Sequence, residues 1–138
     1  MLIVRASVAV SLLFFLVGCA KKGGLETAPV SGKVTYRGKA LTTGTVMFVP
    51  AQGPAATGEI SKDGTYKLTT YRPDDGAVIG AHKVTITALQ GMEGALPEVR
   101  SGTPGPLVPA KYLNDNTSGL TADVKPKTNN EVNFDLKD

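Results

Sequence analysis

Short stretches of alternating apolar and polar residues fill the chain from Pro29 onward. Val30, Val34 and Tyr36 share one parity, and residues 45–50 form a more continuously apolar stretch. Gly, Pro, Asn and Asp residues separate one stretch from the next. This pattern predicts β-strands that each have one buried face and one face in solvent.

Two turns are predicted between the early strands. The first lies at residues 37–39 and suggests an opening hairpin-like unit with the strands that flank it. The second is Lys62-Asp63-Gly64, between residues 59–61 and 65–69. Asp-Gly supplies the positive backbone dihedrals that a tight hairpin requires, so we expect these two strands to pair.

The second half of the chain continues the alternation. In residues 82–88, Val84 and Ile86 face one way, and residues 121–125 and 131–136 close the domain in the same manner. The inward positions of the last stretch are Val132, Phe134 and Leu136. About seven strands, with no helix after the N-terminal segment, predict an all-β, antiparallel seven-stranded β-sandwich of transthyretin-like (prealbumin-like) or immunoglobulin-like topology.

The N-terminal segment is typical of a bacterial lipoprotein signal. Arg5 precedes an apolar run at residues 6–17. Its part from Val8 to Val17 is too short to span a bilayer but has the length of a helical signal-peptide core. The processing motif is Leu16-Val17-Gly18-Cys19, with the small residue directly before the cysteine. We expect removal of residues 1–18 and attachment of a thioether-linked diacylglycerol to Cys19.

Three segments follow from this interpretation: a signal peptide (1–18), a flexible lipidated tether (19–28) and one domain (29–138). Two or three acyl chains, such as palmitate, hold a protein firmly on a membrane. The expected location is the cell envelope, periplasmic or surface-facing. Ala20 follows the lipidated residue where some bacteria place an inner-membrane retention Asp, which mildly favours the outer membrane.

Composition argues against several function classes. The formal charge is +3 and includes Arg5, so the processed chain carries about +2 with no long basic block, and nucleic acid is not an expected partner. Acylation of Cys19 leaves no thiol, and His82 is the single histidine. Zinc sites and nucleophilic triads therefore lack their usual components, so we expect no enzyme activity, metal or cofactor.

The segment between Gln90 and Pro109 is too rich in glycine and proline for regular structure. It is interpreted either as a mobile insertion or as an interaction loop. In the second case Met92, Leu96 and Leu107, with the neighbouring Tyr112, would supply the apolar contacts.

Ligand binding remains an alternative. Turn residues with side-chain oxygens could converge on calcium, namely Asp63, Asp74, Asp75, Asn114, Asp115, Asn116, Asn129 and Asn130. A glycan site would need exposed aromatic side chains. The chain has no Trp, and Tyr71 and Tyr112 are the tyrosines expected to be exposed.

Several stretches resemble the carboxypeptidase regulatory-like family, which has a transthyretin-like sandwich fold. They are residues 30–41, 44–50 and 63–68, and residues 107–112, 117–121 and 133–136 are similar to a subgroup of small bacterial envelope lipoproteins. The resemblance covers nearly all of residues 29–136 and implies a non-catalytic accessory module.

An enzyme of the same fold, 5-hydroxyisourate hydrolase, uses two histidines, an arginine and a C-terminal Tyr-Arg-Gly-Ser. This chain has His82 alone and ends Asp135-Leu136-Lys137-Asp138. We therefore expect a lipid-anchored structural or protein-interaction module with an envelope protein as partner. The alternative is a lipoprotein that binds a small ligand, a glycan or calcium.

Overall fold

Short strands make up most of the part of the chain that the structure describes. The structure is a computed structural model that describes residues 23–90 and 105–138. Its strands are β1 (Thr27–Ala28), β2 (Val30–Tyr36), β3 (Lys39–Ala40), β4 (Thr45–Pro50), β5 (Ala56–Glu59), β6 (Thr65–Lys67), β7 (Ala77–Val78), β8 (Gly80–Thr87), β9 (Leu120–Val124), β10 (Asn130–Glu131) and β11 (Phe134–Leu136). Ala110–Leu113 form a 3₁₀ turn.

Two main sheets and one small strand pair organise these strands. In the first sheet, β2 pairs with β3 and β6 on one side, antiparallel, and with β10 and β11 on the other, parallel. The second sheet is antiparallel, in the order β5-β4-β8-β9. The small pair is β1 with β7. The all-β prediction is confirmed, but the first sheet is mixed and the predicted strands are divided into more than seven segments.

The two main sheets face each other across one hydrophobic core. The Phe48 ring lies 6.5 Å from the Tyr66 ring and 6.1 Å from the Phe134 ring, measured between centroids, and so joins both sheets. Val84 and Ile86 are fully buried, as their parity predicts. Each strand therefore contributes its apolar face to the core.

The first predicted turn is confirmed. Arg37 and Gly38 both have positive φ, 50° and 76°, which is the dihedral pattern of a type I′ hairpin turn. Thr35 and Tyr36 then pair with Ala40 and Lys39 across the turn. The strand that follows, β4, belongs to the other sheet, so the hairpin is limited to β2 and β3.

The second predicted hairpin is only partly correct. The chain does turn at Asp63-Gly64, where the Gly64 N–H donates to the Ser61 carbonyl at 2.8 Å. The flanking strands nevertheless belong to different sheets, because β5 pairs with β4 and β6 pairs with β2. An isolated bridge between Thr57 and Thr69 links them. The turn therefore leads from one sheet to the other.

The edge formed by β10 and β11 is interrupted at Val132 and Asn133, while the register with β2 is the same on both sides. The Val132 carbonyl accepts a hydrogen bond from the Tyr66 hydroxyl at 2.7 Å. Asn133 Oδ1 accepts the Lys33 N–H at 2.8 Å, so a side chain takes the place of a backbone acceptor. A Cβ at Gly32 would overlap the Val132 carbonyl, and this close approach requires glycine.

The ordered fold begins before residue 29. Thr27 and Ala28 form β1, and the Leu25 N–H donates to the Tyr71 hydroxyl at 3.1 Å. The last two residues of the predicted tether therefore lie in a strand. Their backbone groups pair with β7 instead of remaining in solvent.

Replacement of Gly32 by Ala should lower the free energy of unfolding by about 3 kcal/mol, since the new methyl group meets backbone that cannot move independently. Urea unfolding followed by circular dichroism measures this change. Gly105→Ala is the matched control, because nothing lies within 4 Å of a Cβ built there. Equal stability of the two variants would contradict the close approach at Gly32.

Candidate functional site

A groove of about 1030 Å³ lies where the two main sheets meet. β5 and β6 contribute lining residues to it, and reciprocal backbone hydrogen bonds at 3.0 and 2.8 Å join Thr57 of β5 to Thr69, two residues beyond β6. A further bond, from the Ser61 N–H to the Thr65 carbonyl at 2.8 Å, closes the end at the turn. The groove is therefore built on the corner between the sheets.

Polar side chains line this groove, because the outward positions of β2, β5, β6 and β10 converge on it. The lining residues are Ser31, Gly32, Lys33, Thr45, Thr57, Gly58, Glu59, Ser61, Thr65, Tyr66, Lys67, Thr69, Asp74, Glu131 and Asn133. Hydroxyl groups predominate, with two lysines and three carboxylates among them. Such a surface can donate and accept hydrogen bonds and can bind charges of either sign.

The floor of the groove is held by Tyr66. Its side chain is buried, and its hydroxyl donates to the Val132 carbonyl. Burial raises the pKa of Tyr66 well above its ordinary value, so the phenol remains a donor at physiological pH. The Asn133–Lys33 bond lies beside it. These contacts position the polar side chains above them.

The single histidine lies in the core and does not line the groove. His82 is 3% exposed, its Nε2 lies 2.6 Å from the Val78 carbonyl oxygen, and its ring packs against Phe48 at 5.5 Å between centroids. Nδ1 has no hydrogen-bond partner. Ser118 is also buried, and its hydroxyl donates to the Val84 carbonyl at 2.6 Å. These contacts hold β8 and its neighbours together.

Several of the turn residues considered for calcium bind their own loops, and Asn116 Oδ1 accepts a hydrogen bond from Lys83 Nζ at 2.9 Å. Asp63 Oδ1 accepts the Thr65 N–H at 3.1 Å and its hydroxyl at 2.6 Å, and these bonds lower the pKa of Asp63. Asn114 Oδ1 accepts the Asn116 N–H at 2.8 Å. Within residues 23–90 and 105–138, no three His, Cys, Asp or Glu side chains cluster closely enough to hold a metal ion.

Asn130 closes the turn between β9 and β10. Its Oδ1 accepts the Lys125 N–H at 2.9 Å, and its Nδ2 donates to the Lys125 carbonyl at 3.0 Å and the Thr128 carbonyl at 3.2 Å. The side chain is buried. It therefore serves the connection between the two sheets.

Exposure of Tyr112 was expected, and this prediction is wrong. Tyr112 is 5% exposed, and its hydroxyl donates to the Lys137 carbonyl at 2.7 Å and accepts the Lys137 N–H at 3.0 Å. The polar tip of the ring thus satisfies the backbone at the end of β11. Leu107 is partly buried against the core. Met92 and Leu96, the other two residues of the predicted interaction loop, lie outside the described residues.

Tyr71 is 48% exposed, as expected.

At the C-terminus, Asp138 accepts hydrogen bonds from the Tyr36 hydroxyl at 2.5 Å and from the Arg37 guanidinium at 2.6 Å. These bonds lower the pKa of Asp138, with that from Tyr36 the larger cause. Nothing in the local sequence pattern indicates this contact, because the residues involved are about 100 positions apart.

The predicted lipidation motif, Leu16-Val17-Gly18-Cys19, lies outside the described residues. Among the residues that are described, no helix is both long enough and apolar enough to cross a membrane.

Comparison with protein-family models, with curated proteins and with solved structures finds no match for this chain. The resemblance to the carboxypeptidase regulatory-like family therefore stays a prediction.

Replacement of Tyr66 by Phe should lower the free energy of unfolding by about 1–2 kcal/mol, because the Val132 carbonyl loses its donor. The matched control is Tyr71→Phe, because the hydroxyl that it removes makes only an exposed hydrogen bond, with the Leu25 N–H. Urea unfolding at neutral pH measures both changes. A Tyr71→Phe loss as large as that of Tyr66→Phe would contradict the proposed floor of the groove.

Tyr66→Phe should also change how the free energy of unfolding depends on pH in the alkaline range. The folded state raises the pKa of Tyr66 above the value of about 10 that the phenol has in the unfolded chain. The free energy of unfolding is therefore at its full value below about pH 10. It falls as the pH rises toward the folded-state pKa, because the unfolded chain loses a proton that the folded chain keeps. Tyr66→Phe should therefore lose less stability than the parent between neutral and alkaline pH. Parallel losses in urea titrations would contradict the burial of this phenol.

Proposed function

We propose that this chain is a non-catalytic, lipid-anchored protein of the bacterial cell envelope and that its β-sandwich domain is a protein-interaction module. The observation that carries the proposal is the polar groove at the corner between the sheets. The anchor part of the proposal rests on the sequence from Arg5 to Cys19. An envelope protein is the proposed partner.

We further propose a transthyretin-like topology and membership of the carboxypeptidase regulatory-like family. Residues 30–41 and 63–68 support this through their resemblance. The all-β fold with two packed sheets is compatible with it. Fold alone does not assign an activity, so the function is argued from the groove.

A protein segment suits the groove for two reasons. The groove is open and is lined by residues of several strands, so an extended segment could lie in it and bond its backbone amides to Thr57, Thr65 and their neighbours. Lys33 and Lys67 would face acidic side chains, and Glu59 would face basic ones. Mixed charge of this kind gives specificity more than raw affinity.

A polar small molecule or glycan is the second candidate. The groove volume is at the upper end of the range for ligand pockets, about 300–1000 Å³. Its hydroxyl groups and the Asn133 amide match the donors and acceptors of a sugar. Among the described residues, Tyr66 is the only aromatic one in the lining, and it is buried, so sugar binding there would depend on hydrogen bonds without a stacking surface.

The anchor is tested by Cys19→Ala, with Lys21→Ala as the control that retains the acyl acceptor. We expect Cys19→Ala to lose incorporation of a palmitate analogue and to leave the membrane fraction, because no other thiol exists in the chain. Lys21→Ala should behave like the parent. Membrane retention with full labelling in Cys19→Ala would contradict the anchor.

The groove is tested by a photo-crosslinking amino acid placed at Thr65, with Thr121 on β9 as the control position outside the groove. We expect a discrete adduct from Thr65 in intact cells and none from Thr121. Protease sensitivity of the captured partner supports the interaction module, and glycosidase sensitivity supports the glycan alternative.

Charge reversal tests the specificity of that adduct. Lys67→Glu in the groove should reduce the Thr65 adduct about tenfold, as expected for the loss of about 1.4 kcal/mol of binding. Lys125→Glu, an exposed lysine at the other edge of the domain, is the matched control. An adduct that both variants leave unchanged would argue against binding in the groove.

A further inference from the structure

Two of the large hydrophobic side chains that the described residues leave exposed lie together at the N-terminal end of the domain. They are Leu25 and Tyr71, each 48% exposed. The Leu25 N–H donates to the Tyr71 hydroxyl, and the Tyr71 ring packs against Gly24. With the exposed Arg72 beside them, they border a depression of about 480 Å³. We call Leu25, Tyr71 and Arg72 the Leu25–Tyr71 surface.

The loop that carries Tyr71 and Arg72 is held by one carboxylate. Asp75 accepts backbone N–H groups from Thr70 at 2.7 Å and from Tyr71 and Arg72 at 2.9 Å each. Burial opposes ionisation of Asp75, but these three donors outweigh it and the pKa of Asp75 is lowered. Tyr71 is therefore presented to solvent by a structured loop rather than exposed by chance.

Chain length places this surface close to the proposed anchor. Leu25 lies six positions after Cys19, and this length of chain spans at most about 20 Å when extended. β1 follows at Thr27–Ala28 and is paired with β7, so the chain enters the domain at this end. If Cys19 is acylated, the Leu25–Tyr71 surface is the first part of the domain that the bilayer meets.

The chemistry of the surface suits the interfacial region of a bilayer. Tyrosine favours this region because its ring is apolar and its hydroxyl is polar, and Arg72 can bind lipid phosphate. Among the described residues at this end, Arg72 is accompanied by the exposed acids Glu26 and Asp74. Apolar and aromatic contacts, more than net charge, would therefore hold the surface at the membrane.

We propose that the Leu25–Tyr71 surface rests in the headgroup region of the membrane that Cys19 anchors, so that the domain has one fixed orientation on the bilayer. This inference rests on the proposed lipid anchor. It adds a membrane-contacting surface and an orientation to that anchor. A tether alone would leave the domain free to rotate.

The chain contains no Trp, so a single introduced Trp is an unambiguous reporter. The experiment uses the full lipidated protein, purified from membranes and reconstituted in vesicles of phosphatidylethanolamine and phosphatidylglycerol with brominated acyl chains. Tyr71→Trp and Leu25→Trp report on the proposed surface. The matched control is Leu113→Trp, which replaces a side chain of similar exposure, 41%, in the 3₁₀ turn.

We expect brominated lipid to lower the emission of Trp at positions 71 and 25 about twofold and to leave Trp at position 113 nearly unchanged, as for an aromatic residue at the interface. Circular dichroism confirms folding of each variant, and the Leu25 probe serves if Tyr71→Trp does not fold. Unquenched Trp at 71 and 25 in protein that floats with vesicles would overturn the proposed orientation, as would equal quenching at 113.

Vesicle flotation separates this inference from the anchor on which it rests. Protein that floats without quenching at 71 and 25 contradicts the orientation and leaves the anchor standing. Protein that does not float contradicts the anchor, and the orientation is overturned with it. Quenching of Trp at 71 and 25 in floating protein supports both.

Discussion

The pairing of the first long strand with the end of the chain is the constraint on which the rest of the structure depends. β2 is the centre of its sheet, and the bond between the Lys33 N–H and Asn133 joins residues 100 positions apart. Closing so long a loop costs conformational entropy before any contact compensates for it. The floor of the groove exists only after this closure, because Ser31 and Glu131 reach it from opposite ends of the chain.

Alternation along the sequence was sufficient to predict elements whose determinants are local. β4 spans Thr45–Pro50 as predicted, and Phe134 and Leu136 point inward. Which strands pair with each other was harder to predict. A tight turn such as Asp63-Gly64 specifies a reversal of the chain, but it does not specify the sheet that each flanking strand joins. The groove could not be predicted, because its polar residues have the same pattern as any solvated strand face.

Side chains that satisfy backbone groups explain other differences from the sequence predictions. Tyr112 resembled an exposed aromatic beside a long loop, yet its hydroxyl forms two bonds with Lys137 and protects the end of β11. Asn130 looked like an ordinary turn residue, yet it closes the connection between β9 and β10. Free strand edges attract other chains, so these contacts limit where a partner strand could add.

The groove and the Leu25–Tyr71 surface share one loop, which relates the two proposals physically. Thr69 and Asp74 line the groove, while Tyr71 and Arg72 lie between them in sequence and border the depression at the N-terminal end. Asp75 binds three successive backbone N–H groups of this loop and therefore holds both sides of it. A partner seated in the groove would then lie close to the bilayer. Contact with the membrane and binding in the groove would both depend on the conformation of the same seven residues, 69–75.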